Sequence, residues 1–226
     1  MKKRISMILV GSLLLASFND VKADLLKEQR DKLESFTSED SIMNNTTGKE
    51  FVKPVKLPQY YQSDARWGSK RYGISNMKIS GCVPTSLSMV LSVLKEDVTP
   101  VQVADYIYNT STEMNTMFVG TSSHGAAAAI EHWGCNYRVI NSKEDLKAEL
   151  KKGNIIFGSV GHGLFVKGNG THAIILSGYQ NGKVHAIDPD NSERTNKWYN
   201  IDDIWKQRSF EPEDNSVGGP FMVISK

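Results

Sequence analysis

Cysteine is scarce: the 226 residues hold two, Cys82 and Cys135. One disulfide is arithmetically possible, but a disulfide-stapled framework is excluded. No His-Glu-x-x-His or Cys-x-x-Cys spacing occurs, so no metal site and no cofactor are expected. Long hydrophobic runs are missing too. The uncharged stretch from Ile5 to Phe18 has 14 residues, short of the roughly 18 that span a bilayer. No second apolar span and no internal repeat follow. Charge of one sign is also lacking. The formal net charge of +2 comes mainly from the first 23 residues. Those hold Lys2, Lys3, Arg4, Lys22 and Asp20, and the remaining 23 basic and 24 acidic residues nearly balance. Electrostatics therefore offers no case for nucleic acid.

What is present begins with a processing segment. A positive start, the apolar stretch and Val21-Lys22-Ala23 form the pattern of a secretory signal peptide over residues 1–23. A secreted chain starting near Asp24 is expected, without stable membrane insertion after removal of the signal, and with possible association to the cell wall. Residues 24–50 are polar and turn-rich towards their end, and read as a leader or linker, with a cleft-covering pro-segment as the alternative. The folded domain is expected over residues 51–226, as a monomer.

Within that domain, helices come first. Val83, Leu87, Val90, Leu91 and Leu94 recur at helical spacing, with apolar residues on the other sides as well, so this helix is buried. Thr99-Pro100 opens a second helix, to about Tyr108. Ser122 to Trp133 forms a third, stopped at Gly134. Ser142 with Asp145 opens a fourth, stopped at Gly153. Short apolar and β-branched runs follow: Ile155–Phe157, Ala173–Ser177, Val184–Ile187, Lys197–Tyr199 and Phe221–Ile224. Helices first and strands later imply an α+β domain with segregated halves and a mainly antiparallel sheet.

The chemistry centres on Cys82. Pro84 fits a first helical turn, which puts Cys82 at the start of the buried helix, where the partial positive charge favours thiolate. Gly81 lets backbone approach a substrate closely. The plain alternative is a small core cysteine. A thiolate nucleophile needs a base, and the base needs an orienting group. Of the five histidines, His172 opens an apolar strand, and Asp188 ends the next one. A two-residue loop of Asn181 and Gly182 would set Asp188 opposite Ile175, on the face away from His172. A loop of Gln180, Asn181 and Gly182 sets it opposite Ile174, on the face of His172 and diagonal to it, with Asp190 as the direct partner of His172. Diagonal neighbours lie about 7–8 Å apart, within reach of a hydrogen bond, and Gly182 suits the end of the longer loop. That longer loop is predicted, with Asp190 as the reserve orienting group. His162, between glycines, is the rival base, or an exposed loop residue. His124 is expected near a helix start, and His132 and His185 in structural or surface roles.

Taken in order, Gln62-Ser63-Asp64-Ala65-Arg66-Trp67-Gly68, Tyr72-Gly73, Gly81-Cys82-Val83-Pro84-Thr85-Ser86, Gly170-Thr171-His172-Ala173 and Asp188-Pro189 resemble the papain-like peptidases related to the bacteriocin-leader (double-glycine) processing peptidases. The resemblance covers about Val55 to the C-terminus. It implies a papain-like fold with Cys82 as nucleophile, His172 as base, Asp188 as orienter and Gln62 as a donor in the oxyanion hole. Asp64, Arg66 and Trp67 would brace the Gln62 loop, and Tyr72 and Trp67 would be core aromatics. Val83 and Ala65 depart from residues common in the family, and the membrane and ATP-binding domains of its transporter-fused members have no counterpart in the sequence. A bond between Cys82 and Cys135 would block the nucleophile, so both are expected as free thiols. The function expected is hydrolysis of peptide bonds in a peptide or protein substrate. Cell-wall peptide cleavage, peptidyl transfer to another acceptor, and an inactive binding protein on the same scaffold are the alternatives.

Overall fold

A computed structural model of the chain describes residues 50–226. The expected signal peptide, and the leader up to residue 49, lie outside the described residues. In chain order the elements are β1 (Phe51–Val52), β2 (Arg71–Tyr72), β3 (Ser75–Asn76), α1 (Met77–Ser80), α2 (Cys82–Leu94), α3 (Pro100–Thr110), α4 (Ser123–His132), β4 (Asn136–Val139), α5 (Lys143–Lys151), β5 (Ile155–Val160), β6 (His172–Gln180), β7 (Lys183–Ile187), β8 (Lys197–Asn200), α6 (Ile201–Lys206) and β9 (Phe221–Ser225). Seven strands form one sheet in the order β4-β9-β5-β6-β7-β8, with β1 added beside β6, and its strand pairings are antiparallel.

The helices start where local chemistry dictates. Thr99 caps α3 in a reciprocal box with Gln102. Ser122 and Ser142 accept the N–H of Gly125 and Asp145 at the starts of α4 and α5. The Asp145 carboxylate does not close the second box; it pairs with Arg138 instead. Helix α2 is buried on nearly every side, with Leu87, Met89, Val90 and Leu91 fully enclosed against α3, α4 and β6. Each such side chain contributes roughly 1.5–3 kcal/mol relative to exposure.

The two halves are less segregated than the order of elements implied. Along β6, Ala173 and Ile175 face the core shared with α2, α3 and α4, whereas Ile174 and Leu176 face a second core. That second core is closed by Leu146 and Leu150 of α5 and by Ile201 and Ile204 of α6. The apolar run of β6 has no polar alternation because both of its faces are covered.

The predicted hairpin loop is corrected. Gln180 pairs with Lys183, so the loop is Asn181-Gly182 alone, both at positive φ as a tight two-residue turn requires. Yet Ile175 pairs with Ile187, which is the register expected of the longer loop. A bulge between Ser177 and Tyr179 reconciles the two. At its centre Gly178 has φ +72°, and a Cβ there would sit 2.8 Å from the Pro54 nitrogen. The extra residue lies inside the strand rather than in the turn, and it rotates the remainder of β7 so that Asp188 shares the face of His172.

Candidate active site

Cys82 is the first residue of α2, and Gly81 precedes it as the cap. The backbone N–H groups of a first helical turn have no partners inside the helix and carry partial positive charge. Pro84, buried in that turn, has no N–H to leave unpaired. A Cβ at Gly81 would lie 2.3 Å from the Met77 carbonyl oxygen, so only glycine lets the chain pass from the end of α1 directly into α2. Cys82 and Cys135 are both free thiols; Cys82 is half-buried and Cys135 buried.

His172 is nine-tenths buried at the start of β6. Its Nε2 donates to Asp188 Oδ1 at 2.8 Å, and its ring shares a cleft with the Cys82 thiol, near enough to feel its charge. With Nε2 engaged, Nδ1 is the nitrogen left for sulfur. Burial pushes the imidazole towards its neutral form, but the bond to Asp188 and the nearby Cys82 sulfur outweigh it and raise its proton affinity well above the ordinary histidine range. Asp188 is fully buried. Burial acts to raise its carboxyl, yet the bonds from His172, Arg194 and the Asp190 N–H hold it below the usual carboxylate range. Asp190, the reserve orienter, is exposed and gives its N–H to Asp188 Oδ1 at 2.8 Å, so the structure brings Asp188 and not Asp190 to the imidazole.

Gln62 is buried and bridges the two sides. Its N–H donates to the Pro189 carbonyl at 2.8 Å, next to Asp188, and its Nε2 donates to the Lys78 carbonyl at 2.8 Å, in the helix just before Cys82. One Nε2 hydrogen stays uncommitted, and Oε1 has no partner among the described residues. Asp64 accepts the Arg66 guanidinium at 2.8 Å, Arg66 lies over Trp67, and the Trp67 ring N–H donates to the Tyr61 carbonyl. These bonds brace the loop carrying Gln62.

A cleft of about 450 Å³ runs between Cys82 and His172. One wall carries the exposed side chains of Ile79 and Val119. The loop carrying Val119 is tied to α1, which carries Ile79, by Asn115, which is fully buried at φ +52°, donates to Ser80 Oγ and accepts the Gly120 N–H. The other wall holds Ser159, Thr171 and Asp214. Asp214 is buried, bonds Ser209 Oγ at 2.6 Å, and has its carboxyl pushed up by burial.

The remaining histidines stand apart. His162 is exposed on its glycine loop. His124 is exposed at the second position of α4. His132 stacks on Tyr106, and His185 is buried against Trp198. Among the described residues no group of three or more His, Cys, Asp or Glu converges on a point that could hold a metal, and no helix is long and apolar enough to cross a membrane. Sequence reasoning does not reach Asp214, Arg194 and Thr195, which the fold brings to this region. The cluster Asp188-Pro189-Asp190-Asn191 was the available signal, since such residues fold a chain back on itself.

No curated protein matches the sequence. The solved structure of a C39-like peptidase from Bacillus anthracis superposes with a TM-score of 0.51 at 15% identity, covering 76% of this chain and 95% of that one. The peptidase domain of Streptococcus ComA, a bifunctional ABC transporter involved in quorum sensing, is similar with a TM-score of 0.47 at 16% identity, over 64% of this chain and 90% of its own. A double-glycine-motif protease from an AMS/PCAT transporter, solved with its leader peptide, scores 0.46 at 17% identity, over 76% and 91%. At these identities the likeness to the Bacillus structure speaks for the fold. The sequence model of the Peptidase C39-like family matches residues 54–213, which include Gln62, Cys82, His172 and Asp188. The chain belongs to that Peptidase C39-like family and is a cysteine peptidase of papain-like α+β fold.

Proposed function

We propose that this peptidase hydrolyses peptide bonds with Cys82 as nucleophile, His172 as general base and acid, Asp188 as the group that orients His172, and Gln62 as a donor to the oxyanion. The placement of His172, hydrogen-bonded to Asp188, on the same cleft as a sulfur at a helix start carries this reading. A proton held on His172 leaves the sulfur as thiolate. The thiolate adds to the scissile carbonyl carbon. The proton on His172 then passes to the leaving nitrogen, the C–N bond breaks, and a thioester remains. Water, giving a proton to His172, attacks the thioester carbon. The C–S bond breaks and the thiolate returns.

The negative oxygen of each tetrahedral intermediate needs donors already in place. The free Nε2 hydrogen of Gln62 and the Cys82 N–H are suited to that task. We read the enzyme as exported, with residues 1–23 removed as a signal peptide, and acting outside the cell on peptides or proteins. Assays on casein and on purified peptidoglycan separate protein from cell-wall substrates.

Gln62→Ala is expected to lower kcat by about 10²–10³-fold with KM little changed. Because Gln62 also ties Pro189 to Lys78, the thermal midpoint is measured alongside. A folded Gln62→Ala variant with native kcat removes Gln62 from the oxyanion site.

A further inference from the structure

We propose that Arg194 is a positioning residue that fixes Asp188 as an anion and so sets the pH range over which His172 carries its proton. The inference rests on the catalytic reading above and extends it by one residue. Arg194 Nε donates to Asp188 Oδ2 at 2.7 Å. The other oxygen, Oδ1, accepts from His172 Nε2 at 2.8 Å and from the N–H groups of Asp190 at 2.8 Å and Asn191 at 3.2 Å. The carboxylate is thus held at both oxygens and cannot rotate away from the imidazole.

The loop is wired to deliver Arg194. Asn191 Oδ1 accepts the N–H of Glu193 and of Arg194, and the Asn191 carbonyl accepts the N–H of Thr195. Thr195 Oγ1 in turn accepts the Asp188 N–H at 2.9 Å. From β8, the Tyr199 hydroxyl donates to the Arg194 carbonyl at 2.8 Å. The chain therefore leaves Asp188, turns, and returns a guanidinium to the carboxylate it left.

The charges explain why this matters for the reaction. Arg194, Asp188, His172 and Cys82 form a run of alternating sign when His172 is protonated and the sulfur is thiolate, and the four sum to zero. Without Arg194 the same buried run carries a net negative charge, and every deprotonation along it becomes harder. Among the other groups near this run, Asp214 lines the same cleft, and burial favours its uncharged form. Asp190, exposed, has its carboxylate 3.8 Å from the Arg194 guanidinium. Tyr199 from β8 is a phenol whose proton is held more tightly through burial and the nearby Asp188. Cys82 is the group facing His172 from α2.

The test needs no substrate. The rate of Cys82 alkylation by iodoacetamide is followed against pH by mass spectrometry of the full chain, with Cys135 as internal reference. Loss of a positive charge favours the protonated form of every neighbouring group. Both inflections of the Arg194→Gln and Arg194→Met profiles are therefore expected to move alkaline, by about half to one pH unit. Arg194→Lys keeps the charge and is expected to keep both inflections. A purely structural arginine would change thermal stability and leave the inflections in place, and folded neutral variants with native inflections overturn the inference. If neither neutral variant folds, Arg194→Lys decides. Folding with native inflections supports a role for the charge, and a shifted profile or failure to fold overturns it. Failure of the underlying reading looks different: Cys82 of the native chain would then alkylate no faster than Cys135, and His172→Ala would change nothing.

Discussion

Cys82→Ala is expected to reduce peptide hydrolysis by about 10⁴–10⁶-fold, the scale seen when a hydrolase loses its nucleophile, while moving the thermal midpoint by no more than about 2 °C. The two halves of that expectation come from one placement. The sulfur sits at the first position of α2, half-buried, on the wall of a cleft. Its removal leaves little empty volume in either core. Cys135 provides the contrast. It is buried between α4 and β4, and burial raises its thiol further. Truncating it removes a packed atom, and hydrolysis should continue. A Cys82→Ala chain that loses its cooperative unfolding would mean that the thiol is a core residue and not a reactive one.

Asp188→Ala carries the second large effect, on stability and activity together. The substitution leaves the Arg194 guanidinium, the His172 ring N–H and the N–H groups of Asp190 and Asn191 without their acceptor. Removing one partner of a buried ion pair costs about 3–5 kcal/mol. Because Arg194 keeps part of its surface in water, the lower end, about 3 kcal/mol, is expected. For a domain of this size that lowers the midpoint by about 6–12 °C. Turnover should fall by about 10²–10⁴-fold, because the imidazole loses both its orientation and its counter-charge.

The pH dependence of stability follows from the same pair. The carboxyl of Asp188 lies below its ordinary value, so its contribution is full above about pH 4, its unfolded range, and is lost as pH falls through the folded value. The proton affinity of His172 is raised, so its contribution is full below about pH 6.5 and is lost as pH rises towards the folded value. The difference in unfolding free energy between native and Asp188→Ala chains should therefore be largest between about pH 4 and 6.5. Urea unfolding from pH 3 to 9 reads it. A difference independent of pH would mean that Asp188 does not hold a charged partner.

The geometry of the candidate site was legible in the sequence where local chemistry decides it. A glycine, a cysteine and a proline two positions on mark a helix start, and α2 begins there. A histidine at the head of an apolar run and an aspartate at the end of the next imply neighbouring strands, and β6 and β7 pair. The hairpin shows where such reasoning thins. The register of Ile175 with Ile187 was right and the loop was wrong, because the additional residue sits in the strand at Gly178. An isolated glycine inside a strand run is itself a sign of a bulge. Pro54, more than a hundred residues earlier in the chain, lies against Gly178 and leaves no room for a side chain at the bulge, and no local pattern contains that contact.

The same limit hid Arg194 and Asp214. Each is an ordinary charged residue in a polar stretch, and each becomes special only when distant elements close around it. Asp214 meets the cleft because the chain after α6 folds back over β5 and the start of β6. The buried setting of Gln62 depends on carbonyls at Lys78 and Pro189, far apart in sequence. The role proposed for it rests on resemblance, because no spacing around it encodes those partners. The short elements β2, β3, α1 and α6 escaped for a simpler reason: two to six residues are too few to show a period.

The most direct measurement treats the native chain with a limiting amount of a thiol-directed peptidyl probe and locates the adduct by peptide mapping. The adduct is expected on Cys82 alone, at a rate that collapses in the His172→Ala chain. Labelling of Cys135 instead, or a rate indifferent to the loss of His172, would contradict the claim that imidazole and sulfur work as one unit.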